Sequence, residues 1–250
     1  MTTQAVAAPR APDAATHGSR SQRLLALSGI AFVPLFLVGW FASGGVTPHY
    51  NAADQDWVNW AHDSQWKGRI SAFAMLLAAF VFLYFMSGIR AMLVSAESRV
   101  RGSISLGRVA FAGALVGVGA MAMALVTMAA ASSDGANVDP AVAKSVTTGA
   151  AGPFMVAAMG FAAFLLAAGL VTLRTRVFAR WTGVVAIVGA VSFLVTFLVV
   201  LDGTTDGSPF GYGFFPGAVA LVTWTAAASI TTYRSTAIWL PPRDFSRQPV

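Results

Sequence analysis

Cysteine is absent from this chain and charge is scarce. Asp, Glu, Lys and Arg make up 10% of its 250 residues, against roughly 25% in an ordinary soluble domain. Without a thiol there is no disulfide scaffold, no thiolate metal site, no iron–sulfur cluster and no cysteine nucleophile. With 56% hydrophobic residues a water-soluble globule is excluded too.

What the chain has instead is long apolar runs. About 20 such residues at 1.5 Å each cross roughly 30 Å of hydrocarbon. Six runs qualify, near 24–42, 70–89, 109–131, 153–173, 182–201 and 214–232, and none contains a lysine, arginine or carboxylate. In lipid every backbone polar group must find its partner internally, and the alternation of barrel strands is missing, so the expected class is all-α: a six-helix transmembrane bundle. Residues 1–22, rich in Ala, Ser, Thr and Pro without apolar periodicity, read as a disordered tail, 23–233 as the membrane domain and 234–250 as a second tail. The first run exceeds a signal peptide's 7–15-residue apolar core, so it reads as a membrane helix.

Cation placement sets the expected orientation. Thirteen of the 16 Lys and Arg fall in the N-terminal tail, the second and fourth loops and the C-terminal tail. The odd loops hold only Lys67, Arg69 and Lys144, with seven of the ten acids. By the positive-inside rule both termini are expected to be cytoplasmic, and an even number of spans, which puts them on one side, agrees with that. The net charge of +6 is then an orientation signal, not a nucleic-acid surface, because its arginines are scattered over four segments beside lipid.

The runs also lack histidine, which argues against bis-histidine haem and intramembrane zinc hydrolysis. Lacking lysine, they offer no retinal Schiff base, and lacking carboxylates, no carriers for an ion-coupled pump. No cofactor is expected. The remaining polar groups are hydroxyls, Ser192 and Thr196 on the fifth span and Thr223, Thr225 and Ser229 around Trp224 on the sixth, and these ordinarily bond a carbonyl of the preceding turn. The third and fourth spans are rich in Ala and Gly. Gly113/Gly117, Ala158/Ala162 and Ala163/Ala167 have the small-xxx-small spacing of close helix contacts, which serves packing and a homo-oligomer face equally, so these spans are expected at the bundle centre. From about residue 141 to 173 the fourth region is too long for one simple span. Gly152-Pro153 is expected to kink or break it, with Asp139-Pro140 opening the outer piece.

The segment Thr47–Arg69 is the most elaborate loop. Asn51 is expected to cap a short interfacial helix with Trp57 and Trp60 on one face, and Tyr50 and Trp66 extend the aromatic set. Tryptophans resting at headgroup level are the ordinary outcome; the sharper one is that their rings roof a hydrophobic pocket between the helices. His49, His62 and Asp63 are zinc-ligand types without any metal-site spacing, and the acidic pairs Asp54/Asp56, Asp134/Asp139 and Asp202/Asp206 lack a calcium-loop register.

Four stretches, Gly29–Gly39, WKGRISAFAMLLAAFVFLYFMSGIR (66–90), DPAVAKSVTTGAAGPF (139–154) and RTRVFARWTGVVAIVGAV (174–191), resemble a family of uncharacterised, mostly actinobacterial multi-pass membrane proteins classified as a domain of unknown function. The resemblance spans most of residues 24–201 and implies a six-helix bundle in a bacterial plasma membrane.

The leading expectation is a non-enzymatic bundle that binds a hydrophobic ligand, a lipid or a partner membrane protein as an accessory subunit, with contacts at Tyr50, Trp57, Trp60, Trp66, Gly152, Pro153 and Trp224. The alternatives are an uncoupled permease for an apolar or small neutral substrate, working through the Gly152-Pro153 break, and an outward-facing metal-dependent enzyme using His49, His62 and Asp63. Partners are expected to be membrane lipids, another membrane protein or a second copy, and not nucleic acid.

Overall fold

The computed structural model describes residues 14–42, 48, 51–98, 105–131, 139–198 and 213–238. These form seven helices: α1 (Ala14–Ala42), α2 (Asp54–Glu97), α3 (Leu106–Ala131), α4 (Pro140–Gly149), α5 (Ala151–Thr175), α6 (Arg180–Phe197) and α7 (Phe214–Ile238). No strand occurs among the described residues. With α4 and α5 counted as one span, six helices are long and apolar enough to cross a membrane. The protein is therefore an all-α, multi-pass membrane bundle.

The helices run up and down, and each packs on its neighbour in sequence. Gly88 of α2 lies against Leu25 of α1, Gly107 of α3 against Val94 of α2, and Gly183 of α6 against Leu173 of α5. Ring order therefore equals chain order, and the ring closes because α7 returns to α1, with Gly29 beside Ser229 and Trp40 stacked on Phe214. Alternation gathers Arg23, Arg90, Arg108, Arg174 and Arg180 at one end, called here the arginine end. The opposite, aromatic end carries Trp40, Trp57, Trp60 and Phe214. Phe73, Phe80, Met123 and Val188 stand exposed on the outer surface, as lipid-facing side chains do.

Several helices are longer than their apolar runs, because hydropathy reports where lipid is, whereas a helix once nucleated extends at little cost per residue. Residues from Ala14 on, expected in the tail, are already helical. The loop helix is likewise no separate element but the outer turns of α2, whose 44 residues make about 66 Å. Asn51 does not cap it: the N-cap is Ala53, without a side-chain bond, and Asp54 and Asp56 sit in the first turn, where carboxylates suit the helix dipole.

The fourth span passes from α4 to α5 at Ala150, three residues before Pro153, with helical dihedrals kept there (φ −68°, ψ −19°). Proline has no N–H to give the carbonyl four residues earlier, which is that of Gly149, so the helix loosens there and not at Gly152 itself. Asp139 opens the outer piece as expected, its carboxylate accepting from the Ala141 amide at 2.8 Å with Pro140 at the first position.

The Gly-rich seam lies within the chain. A Cβ at Gly113 would stand 2.6 Å from the Phe164 nitrogen and 2.7 Å from the Gly160 carbonyl oxygen, and one at Gly160 would strike Gly117. The GxxxG pair thus brings α3 against α5. The fourth span is the most enclosed, with 61% of its most apolar stretch buried. The third, at 39%, is no more central than the second or fifth. Its small residues bury one stripe against α5 and leave Leu115, Val116 and Met123 outside.

Toward the arginine end the core is filled by aromatic rings, with a hollow of about 140 Å³ beside Phe85. Trp224 is fully buried, with Phe164 edge-on at 5.2 Å, Phe178 at 5.8 Å and Phe85 at 6.5 Å between ring centres. Phe178 comes from the short link between α5 and α6, which turns at Arg176 in the left-handed region (φ 55°). Glu97, 5% exposed, accepts the Leu106 and Gly107 amides, each at 2.9 Å. One carboxylate thus satisfies two of the four orphan donors of α3 and places its charge at the positive end of the helix dipole.

Candidate functional site

Between α1, α2, α3, α5 and α7 at the aromatic end lies a cleft of about 220 Å³. The side contributed by α2 is Trp60, Ser64, Gly68, Ser71, Ala72 and Met75, all near one face, and most are small, so the wall is shallow. From α3 come Met121, Leu125, Met128 and Ala129, the two methionines two turns apart. Gly39 and Trp40 of α1, Phe154 of α5 and Phe214 of α7 complete the lining.

Aromatic stacking fixes one wall. Trp40 lies nearly parallel to Phe214, with ring centres 5.8 Å apart and planes at 5°, and Phe154 meets Phe214 edge-on at 6.0 Å. The opposite wall is compliant, because unbranched thioether side chains change shape at little cost. The Ser71 hydroxyl donates to the Gly39 carbonyl at 2.7 Å, tying α1 to α2 at the cleft wall. The lining carries no titratable side chain, and its polar side chains are Ser64, Ser71, Trp40 and Trp60.

The structure distributes the sequence-predicted residues widely. Trp57 and Trp60 do share a face and meet edge-on at 6.0 Å. Trp60 lines the cleft, while Trp57 is 2% exposed and its Nε1 has no partner. Trp66 is outside the cleft, 70% exposed, with the Arg69 guanidinium over its ring at 5.5 Å. Trp224 belongs to the closed core, its Nε1 also unpartnered. Gly152 faces open space, and Pro153 is half-buried one residue from cleft-lining Phe154. Tyr50 and His49 lie outside the described residues, as do Asp134, Asp202 and Asp206.

His62 Nδ1 is 3.5 Å from Asp63 Oδ1, both side chains well exposed, a geometry worth little in water. No group of three His, Asp or Glu able to hold a metal is found among the described residues. Two of the hydroxyls behave as membrane hydroxyls usually do, Thr196 donating to the Ser192 carbonyl at 3.1 Å and Ser229 to that of Thr225 at 2.6 Å, whereas the Thr225 hydroxyl is buried without a partner.

Trp40, the three methionines, Phe154 and Phe214 escaped the sequence reading. Two signals could have found part of the cleft: Met121 and Met128 seven residues apart on an Ala/Gly-rich helix, and the small stripe Ser64, Gly68, Ser71 and Ala72 at positions i, i+4, i+7 and i+8. Comparison with family models, curated proteins and solved structures finds no match to this chain.

Proposed function

We propose that this membrane bundle binds a hydrophobic molecule, a lipid or lipid-like compound, in the cleft between α1, α2, α3, α5 and α7. One observation carries the proposal: an apolar space of about 220 Å³, lined by Trp40, Trp60, Phe154, Phe214 and three methionines, stays unfilled at the aromatic end of the bundle, against a hollow of about 140 Å³ at the arginine end. Lipid-binding sites are mostly apolar, with a few polar groups that orient the guest, and this lining has that composition. The test is photocrosslinking in vesicles with a fatty-acyl diazirine. Adducts are expected to concentrate on Trp60, Met121 and Met128 and to fall severalfold in Ala129→Phe. Labelling spread evenly over lipid-facing residues such as Phe73 and Phe80 would sink the idea.

The same proposal sets the protein in a bacterial plasma membrane with both termini in the cytoplasm. Its supports are the thirteen cations against three on alternate sides of the spans and the resemblance to the actinobacterial family. Because the chain has no cysteine, single reporters need no background removal. Gln55→Cys should react with an impermeant maleimide on intact cells and Ser21→Cys only after permeabilisation; the reverse pattern would invert the topology.

A further inference from the structure

Charge along the outer part of α2 is zoned. Asp54, Asp56 and Asp63 lie outermost, Lys67 and Arg69 follow, and from Ile70 the helix is apolar to Ile89. Lys67 therefore stands about 6 Å deeper than Asp63 along the axis and directly above the apolar run, the level at which lipid phosphates lie. It is three residues after Ser64 and four before Ser71, so it borders the helix face that lines the cleft, next to lining residue Gly68. Its neighbours are engaged otherwise: Arg69 lies over Trp66, and Asp63 sits beside His62. Lys67 is exposed and has neither a hydrogen bond nor an ion pair with any described residue.

The cleft beside it is elongated. Along α2 its lining reaches from Trp60, about 10 Å outward of Lys67, to Met75, about 12 Å inward, and along α3 from Met121 to Ala129, about 12 Å. That suits a flexible alkyl chain better than a compact ring system, and the three methionines can mould to it.

We propose that the occupant is one acyl chain of an anionic phospholipid from the surrounding bilayer, whose phosphate is paired by Lys67 while the chain runs inward between Met75 and the methionines of α3. This rests on the cleft being a hydrophobic-ligand site, and the two ideas fail separately. Lysine serves phosphate as a point charge, so position counts more than fork geometry and Lys67→Arg should rescue.

The test is native mass spectrometry of the full chain released from lipid discs of equal phosphatidylglycerol and phosphatidylcholine, with acyl chains matched. The wild type is expected to retain one phospholipid, phosphatidylglycerol at least threefold over phosphatidylcholine. Lys67→Gln should bring that ratio to about one and Lys67→Arg restore it. Ala129→Phe should lower total retention severalfold with the ratio in the remainder unchanged. Equal retention of both lipids by the wild type, or an unaltered ratio in Lys67→Gln, overturns the headgroup assignment while a loss of retention in Ala129→Phe upholds the cleft. A retained mass of another class, a free fatty acid or a neutral isoprenoid, overturns the phospholipid. No retained lipid, with Ala129→Phe identical to wild type, overturns both ideas.

Discussion

The two ends of this bundle are built from the same kinds of residue and finished differently. Toward the arginine end, Phe85, Phe164 and Phe178 each meet Trp224 edge to face, and only a smaller hollow of about 140 Å³ is left beside Phe85, among Leu25, Met92 and Thr232. At the aromatic end, Trp40, Phe154 and Phe214 stack against one wall only, and the space before them is bordered by methionines and a shallow, small-residue stripe. Inside lipid, burying an apolar side chain gains little over leaving it among acyl chains, so helix association depends on close packing and on polar groups finding partners. The ring cluster around Trp224 is thus where much of the stability of the bundle is made. An open end forgoes dispersion contacts that a few larger side chains would have supplied, and it is the natural place for a guest.

Substitutions at the two ends sharpen that contrast. The largest effect is expected for Trp224→Ala, which empties the closed core and should cost about 3–5 kcal/mol, read as a large fall in the thermal midpoint of the detergent-solubilised protein. Gly113→Leu should cost about 1–3 kcal/mol by prising α3 from α5, and helical content retained with an unchanged midpoint would show that the seam can yield. Glu97→Ala, at the same end, strips two amides of their acceptor and should cost about 1–2 kcal/mol; amide exchange at Leu106 and Gly107 should quicken, and unchanged protection there would dissociate the carboxylate from the helix start. Smallest of all is Ala129→Phe in the cleft, expected to shift stability by less than about 1 kcal/mol in either direction, since a space is waiting for the ring. If that variant were as damaging as Trp224→Ala, the two ends would not differ in packing after all.

The architecture was legible in the sequence because a bilayer imposes one strong rule on any chain that crosses it: some 20 apolar residues in helical form. The same rule made the helix ends illegible. Hydropathy falls off at Ile70, yet α2 begins at Asp54, since polar residues outside lipid extend a helix without leaving a hydropathy trace. Pro153 marks the fourth span one turn earlier, at the Gly149 carbonyl it cannot bond, while Ala150 keeps helical dihedrals. Glu97 was invisible as a cap: its partners are nine and ten residues away, and only the turn between the helices brings them together. Of the candidate site, Trp60 was legible as an aromatic on the outer segment. Trp40 and Phe214 were not, because residues 174 positions apart become neighbours only when the last helix closes against the first. Trp224 shows the opposite failure, an aromatic beside hydroxyls that suggested a contact site and proves to be the keystone of the packing.

That closure of α7 against α1 also bears on how freely the chain could be rewired. Helices that neighbour one another in sequence neighbour one another in space, and the start of α1 and the close of α7 fall at the same end of adjacent, antiparallel helices. The order of the six spans is therefore cyclic, and no step in it is topologically privileged. A circular permutant, joined from the C-terminal to the N-terminal tail and opened between α2 and α3, at the same end of the bundle, would have the same six seams to form and should assemble the same ring.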